Sequence, residues 1–134
     1  MKFQFLFFTA SILFSSILVA EKPQSIPPVR IDQAEKHLAD GAQLLDVRTK
    51  EEWAEGHIKG ATLIPVTEEG FLKKAKSTID SKKPVVVYCR SGKRSAMATK
   101  KLREAGFTVF DLKGGFTAWK NAGKECSSPS TTKG

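Results

Sequence analysis

A cysteine that follows a run of valines is the residue of this chain best placed to do chemistry. Residues 84–88 read PVVVY, a pattern typical of a buried strand, and Cys89 comes directly after it. A short loop containing Gly92 follows, and a helix is predicted to start near Arg94. The N–H groups of such a loop, together with the start of the helix, favour a thiolate over a thiol. Cys89 is therefore predicted to be a nucleophile.

Basic side chains surround this cysteine in the sequence. Arg90, Lys93 and Arg94 all lie within five residues of Cys89. They should lower the pKa of the thiol and attract a small anionic substrate. The alternative interpretation is a buried, inert cysteine at the end of a strand. Because inert cysteines are not usually flanked by three cations and a glycine, the reactive interpretation is preferred.

The elements that must position Cys89 alternate between strands and helices. Apolar runs predict strands at residues 44–47, 61–66, 84–88 and 108–112. Capping signals and helical spacing predict helices beginning near Asp32, Thr49, Glu68, Arg94 and Phe116. This alternation is typical of a single α/β domain whose mostly parallel sheet carries helices on both faces. In such folds, ligands bind at the carboxyl ends of the strands.

The two ends of the chain differ from this alternating part. Residues 1–20 hold one charged side chain and a long apolar stretch, which predicts a signal peptide and export to the bacterial periplasm. An uncleaved segment would instead anchor the domain in a membrane. The predicted organisation is a signal peptide at 1–20, a proline-rich linker at 21–27, one domain at 28–124 and a disordered tail at 125–134.

The 134-residue chain is basic, with a formal net charge of +8. Its lysines are scattered and lack interleaved aromatic residues, so they predict a solvated surface rather than a nucleic-acid site. The chain has two cysteines, which imply no disulfide framework. Cys126 is interpreted as an incidental cysteine of the polar tail. The alternative is a resolving thiol that pairs with Cys89 or takes sulfur from it.

Four motifs, taken in order, are similar to those of single-domain rhodaneses. They are LLDVR at 44–48, GHIKGA at 56–61, YCRSGKRS at 88–95 and GGFTAW at 114–119. The resemblance covers residues 28–123 and implies a five-stranded, mostly parallel sheet flanked by helices. It also implies the activity of a thiosulfate sulfurtransferase.

The reaction implied by this resemblance is a double displacement at Cys89. The thiolate attacks the outer sulfur of thiosulfate, releases sulfite and keeps a persulfide, which cyanide or a thiol then removes. A thiolate that is already present needs no separate general base. The residues expected to bind the substrate are Arg90, Ser91, Gly92, Lys93, Arg94 and Ser95.

Other residues of the motifs are expected to support the loop. The resemblance places Asp46 and Arg48 close to it, as a pair that holds two loops together rather than as chemical groups. His57 is expected to be part of a turn rather than a general base. His37 has no other ligand-type residue at metal spacing. No metal and no cofactor are therefore expected, and the protein is expected to be a monomer.

Two alternative functions remain open from the sequence. One is a rhodanese-like module that binds a partner or senses redox state without turnover, although such modules often lack the cysteine. The other is a phosphatase or arsenate reductase. Related phosphatases place one more residue between the cysteine and their arginine, and that position here is Ser95. The loop is therefore too small for phosphate or arsenate.

Overall fold

A parallel sheet forms the centre of the fold in the computed structural model, which describes residues 25–127. The strands, numbered along the chain, are β1 Gln43–Asp46, β2 His57–Ile58, β3 Thr62–Leu63, β4 Val85–Tyr88, β5 Val109–Asp111 and β6 Cys126–Ser127. The central sheet has the order β3-β1-β4-β5, and all its pairs are parallel. This confirms the predicted α/β class and the mostly parallel sheet.

Helices cover both faces of this sheet, as the sequence predicted. They are α1 Ile31–Ala39, α2 Lys50–Glu55, α3 Phe71–Thr78, α4 Lys93–Glu104 and α5 Gly115–Asn121. Phe71 and Ala75 of α3 and Leu102 of α4 belong to the apolar cluster on one face. Ala34 of α1 and Trp119 of α5 belong to the cluster on the other face.

The valine run of β4 contributes to both clusters. Val85 and Val87 pack on the side of α3 and α4, whereas Val86 and Tyr88 pack on the side of α1 and α5. All four side chains are fully buried, because β4 lies between β1 and β5 and both of its faces carry helices. Cys89 therefore follows the most buried part of the sheet.

The fifth member of the sheet is reduced to a single residue. Val29 forms an isolated parallel bridge with Leu112, beyond β5. Its N–H donates to the carbonyl of Asp111 at 2.8 Å, and its carbonyl accepts from the N–H of Lys113 at 2.9 Å. The implied fifth strand is therefore an edge contact, since Pro27 and Pro28 before Val29 have no N–H to extend the ladder.

The last described residues correct the predicted start of the tail. Cys126–Ser127 pairs antiparallel with His57–Ile58, so residues 126 and 127 belong to the fold rather than to a disordered tail. The prediction missed this pairing because a two-residue strand in a polar sequence carries no periodic signal. The rest of the predicted tail, residues 128–134, lies outside the described residues.

Local signals set the helix starts with mixed success. The capping box at Thr49 is confirmed, since the Glu52 N–H donates to the Thr49 hydroxyl at 3.2 Å. The first helix begins one residue before Asp32, and there the Gln33 side chain accepts from the Arg30 N–H at 3.0 Å. The third helix begins only after Gly70, where burial of the Phe71 side chain starts.

The predicted signal peptide at residues 1–20 and most of the linker lie outside the described residues. Within residues 25–127, no helix has the length and apolar character needed to cross a membrane.

Candidate functional site

Cys89 lies at the carboxyl end of β4, where the chain turns sharply into α4. Its side chain is almost fully buried, with 1% of its surface exposed. The Gly92 N–H donates to Sγ at 3.1 Å, so the loop curls around the sulfur. Gly92 has a φ of 122°, in a region that side chains with a Cβ rarely adopt. A glycine is thus required for the amide to turn inward.

Ser95, in the first turn of α4, is the second polar contact of the sulfur. Its hydroxyl oxygen lies 3.4 Å from Sγ and 3.1 Å from the carbonyl oxygen of Gly92. The side chain is fully buried. The sequence reasoning used Ser95 to exclude a phosphatase and grouped it with the substrate-binding residues; the structure places it against the nucleophile itself.

These contacts change the acidity of Cys89. Burial of Sγ alone would raise the pKa of the thiol, because it disfavours the charged form. Hydrogen bonding by the Ser95 hydroxyl and by the backbone amides of Ser95, Gly92 and Ser91 outweighs burial, and the pKa of Cys89 is lowered. The donors that act on the sulfur are therefore mainly amides and a hydroxyl, whereas the sequence also assigned a large share to the cations.

The three predicted cations are arranged differently from a ring of free charges. Arg94 is held by a salt bridge to Glu52, with Nη1–Oε1 at 2.6 Å and Nη2–Oε2 at 2.9 Å. The Arg94 guanidinium is the main cause that lowers the pKa of Glu52 to about 2. Arg94 therefore brings a balanced charge to the site, which corrects the expectation of three free cations. Arg90 and Lys93 are exposed.

A polar cleft lies beside the loop and offers room for a small molecule. Its volume is about 300 Å³, and its lining includes Arg90, Lys120, Glu52 and the ring of Phe116. Arg90 is thus the predicted substrate-binding residue that reaches the cleft. Of the other loop residues, Ser91 and Gly92 contribute backbone N–H groups to the sulfur.

The start of α5 holds the cysteine loop from the other side. The Phe116 N–H donates to the carbonyl of Cys89 at 2.8 Å, and the Thr117 N–H donates to the carbonyl of Arg90 at 3.1 Å. Gly115 lies so close that a Cβ at this position would collide with the carbonyl oxygens of Cys89 and Arg90. The GGFTAW motif therefore docks a helix start directly on the loop.

Asp46 and Arg48 form a buried pair at the end of the neighbouring strand. The Arg48 Nη2 donates to Oδ2 of Asp46 at 2.7 Å and to the carbonyl of Gly56 at 2.7 Å. Its guanidinium also lies over the ring of Phe116, 4.2 Å from the centroid. The pair thus links β1, the segment after α2 and the start of α5, which agrees with the supporting role expected from the sequence.

The remaining candidate residues have packing contacts in the structure. The His57 ring stacks on Trp53 with centroids 3.5 Å apart. Cys126 is partly buried against the cluster that contains Ile58, and burial raises the pKa of its thiol. Both cysteines are free thiols. Within residues 25–127, no three His, Cys, Asp or Glu side chains form a group that could hold a metal ion.

Sequence reasoning missed three residues that contact this site. Glu52 was assigned only a capping role, and nothing local indicated its partner Arg94, 42 residues away. Gly115 was assigned to a turn, although its φ of 55° and the backbone next to it leave no room for another side chain. Asp111 was assigned to a strand, and its burial behind Ser95 follows only from the register of β5 with β4.

Comparison with known proteins agrees with this geometry. A family model for the rhodanese-like domain matches residues 30–122. Thiosulfate sulfurtransferase 16 of Arabidopsis thaliana is 36% identical over 115 residues, which cover 78% of this chain and 96% of that protein. Uncharacterized protein YqhL of Bacillus subtilis is 46% identical over 79 residues, or 58% of this chain; the match spans only 60% of that protein.

A solved structure has the same arrangement of elements. The rhodanese-like domain of the Alr3790 protein from Anabaena superposes with a TM-score of 0.68 at 30% identity. The match covers 81% of this chain and 86% of that domain. The likeness therefore extends over the sheet, its helices and the cysteine loop.

Proposed function

The chain belongs to the rhodanese-like domain family, and from this premise we propose that it is a sulfurtransferase that carries sulfane sulfur on Cys89. The donor is thiosulfate or a similar small anion with a sulfane sulfur, and the acceptor is cyanide or a thiol. Arabidopsis thiosulfate sulfurtransferases 16 and 18 supply the substrate class by similarity.

The observation that carries this proposal is the set of donors around Sγ of Cys89. The Gly92 N–H lies 3.1 Å from the sulfur and the Ser95 hydroxyl 3.4 Å from it. Donors that stabilise the thiolate can equally stabilise the negative outer sulfur of a persulfide, because both are anions at the same place. A merely structural cysteine has no need of such donors.

The first half-reaction breaks one S–S bond and forms another. The Cys89 thiolate attacks the outer sulfur of thiosulfate, and a bond forms between the two sulfurs. The bond from that outer sulfur to the sulfonate group breaks, and sulfite leaves with the electron pair. The transferred sulfur stays on Cys89 as a persulfide anion.

The second half-reaction returns the cysteine to its starting state. The acceptor attacks the outer sulfur of the persulfide, and the Cys89 thiolate leaves with the electrons of the S–S bond. A leaving thiolate is favoured by the same hydrogen bonds that lower the pKa of Cys89. The exposed Arg90 and Lys120 in the cleft provide positive charge for an anionic donor or acceptor.

Intact-protein mass spectrometry after thiosulfate treatment tests this function. We expect one added sulfur atom on the protein, which cyanide removes as thiocyanate. The Cys89→Ser variant should take up none, although it keeps Cys126, and the matched Cys126→Ser variant should behave as wild type. Uptake of sulfur by Cys89→Ser, or none by wild type, would refute the proposal.

Export is a separate proposal that rests on residues 1–20 alone. We propose that this segment directs the domain to the bacterial periplasm and is removed. Mass spectrometry of protein recovered from the periplasmic fraction of a bacterial host should give a mature chain that begins at residue 21. Recovery of the full-length chain from the cytoplasm would refute it.

A further inference from the structure

A buried carboxyl group lies behind the cysteine loop and has no role in the reaction described above. Asp111 pairs in register with Val87, two residues before Cys89. Only 5% of its surface is exposed. In the described part of the chain, no donor hydrogen-bonds to its Oδ1 atom. A buried carboxylate without donors is unfavourable, so its presence here requires an explanation.

The nearby cation does not provide that explanation. Arg103 of α4 faces the same space, and its charge lowers the pKa of Asp111, but burial is the larger effect and the pKa is raised. The Arg103 Nη2 donates instead to the carbonyl of Val109 at 2.7 Å. The edge residue Val29 contributes only a backbone N–H, to the Asp111 carbonyl. Asp111 is therefore not a simple ion-pair partner.

Ser95 lies between this carboxyl group and the sulfur of Cys89. Its hydroxyl has one proton and can accept further hydrogen bonds on its oxygen. Three acceptors compete for that proton: Sγ of Cys89 at 3.4 Å, the Gly92 carbonyl at 3.1 Å, and Asp111, whose pKa this hydroxyl lowers. Thr99, one turn further along α4, is also buried and its hydroxyl has no partner among residues 25–127.

We propose that Asp111 is a positioning residue that acts through Ser95 on Cys89, so that the thiol and the carboxyl group share one proton. In the thiol form, Cys89 donates to the Ser95 oxygen, and Ser95 donates to the Asp111 carboxylate. In the thiolate form, Asp111 carries the proton and donates to the Ser95 oxygen, and Ser95 donates to Sγ. One proton moves from sulfur to carboxyl oxygen, and the total charge stays the same.

This arrangement gives the buried carboxylate a function. It lets the loop hold a negative sulfur while the second negative charge, close behind it, is neutralised. The inference rests on the proposed function only in that Cys89 is the reactive thiol. Its test measures protonation rather than sulfur transfer, so the two proposals can fail independently.

Thermodynamic linkage makes the test quantitative, because two coupled groups must shift each other equally. We expect Asp111→Asn to lower the pKa of Cys89 by about one unit, the size of coupling at which paired sites titrate together. The measurement is the pH dependence of the rate of alkylation by iodoacetamide. The exposed Asp40→Asn serves as the matched control and should leave the profile unchanged.

The reciprocal measurement leaves residue 111 untouched and remains available if Asp111→Asn does not fold. Carbon-13 NMR titration of the Asp111 carboxyl should give a lower pKa in Cys89→Ser than in wild type, by the same amount. In a Ser95→Ala background, the effect of Asp111→Asn should fall below half its size. The proposal is overturned if the shift persists in that background, or if the Asp111 pKa is the same with and without the thiol.

Discussion

The guanidinium of Arg94 makes two hydrogen bonds to the carboxylate of Glu52, at 2.6 and 2.9 Å. This pair joins the first turn of α4, which follows the cysteine loop, to α2, which follows β1. Both side chains are only partly exposed, at 27% and 23%. The contact therefore fixes the start of α4 against a neighbouring element while it balances the charge of the arginine.

Glu52→Gln is expected to lower stability in a pH-dependent manner. The folded-state pKa of Glu52 is about 2, below the ordinary value of 4.5, mainly because of the Arg94 bond. The stabilisation is therefore complete above the unfolded pKa and is lost as pH falls through the folded one. The difference in urea midpoint between wild type and variant should be constant near neutrality and shrink from about pH 4.5 to about pH 2.

The matched control for this experiment is Glu55→Gln on the same helix. Glu55 is exposed and has no salt bridge among the described residues. Its replacement should leave the urea midpoint nearly unchanged, whereas Glu52→Gln costs up to about 1 kcal/mol, the range of partly exposed ion pairs. Equal effects of the two variants would contradict the assigned role.

Ser95→Ala is expected to raise the pKa of Cys89, because it removes the largest of the contributions that lower it. A hydrogen bond to a charged group is worth about 1.5–3 kcal/mol, so the midpoint of the alkylation profile should rise by about one unit. Thiolate is present above that midpoint, and alkylation near neutral pH should therefore slow by up to about tenfold.

Ser91→Ala controls for the loss of a loop hydroxyl. Ser91 acts on the sulfur through its backbone N–H, which alanine keeps, and its side chain is exposed. Its alkylation profile should match that of wild type. An unchanged midpoint in Ser95→Ala would show that the amides alone set the acidity of Cys89.

Gly115→Ala is expected to displace the cysteine loop. A Cβ here would collide with the carbonyl oxygen of Cys89 and lie 2.8 Å from that of Arg90. Gly123→Ala is the control, since that position has a similar positive φ of 70° but open space around it. Gly123→Ala should cost about 1–2 kcal/mol of unfolding free energy from the backbone alone. Gly115→Ala should cost about 1–3 kcal/mol more and slow sulfur uptake.

Arg48→Met tests the buried Asp46–Arg48 pair against an exposed pair of the same kind. Loss of Arg48 leaves the carboxylate of Asp46 buried without its partner, which should cost about 3–5 kcal/mol in urea unfolding. Arg30 and Asp32 form the matched pair, with side chains 67% and 69% exposed. Arg30→Met should change stability by less than about 1 kcal/mol. Similar losses from both variants would contradict the role of burial.

Local patterns predicted the parts of the site that local sequence determines. The valine run before Cys89 indicated a strand buried on both faces, and Gly92 indicated a turn that aims an amide at the sulfur. Both depend on a few adjacent residues and on backbone geometry. They were therefore visible in the sequence, as was the capping box at Thr49.

Contacts between distant residues escaped the same reasoning. Glu52 and Arg94, and likewise Gly115 and the Cys89 carbonyl, meet only because the sheet brings their elements to one edge. The register of β5 with β4 decides that Asp111 lies behind Ser95. Such neighbours depend on strand order, which periodicity does not determine.

The pairing of β6 with β2 limits how far this protein can be trimmed. A chain that stopped at Lys124 would lose the carbonyl of Glu125, which accepts from the Trp119 indole N–H at 3.0 Å, and the strand that covers Ile58. Ile58 in turn donates its N–H to the hydroxyl of Tyr88, the residue before the nucleophile. Shortening by these few polar residues would thus reach the floor of the catalytic loop through only three contacts.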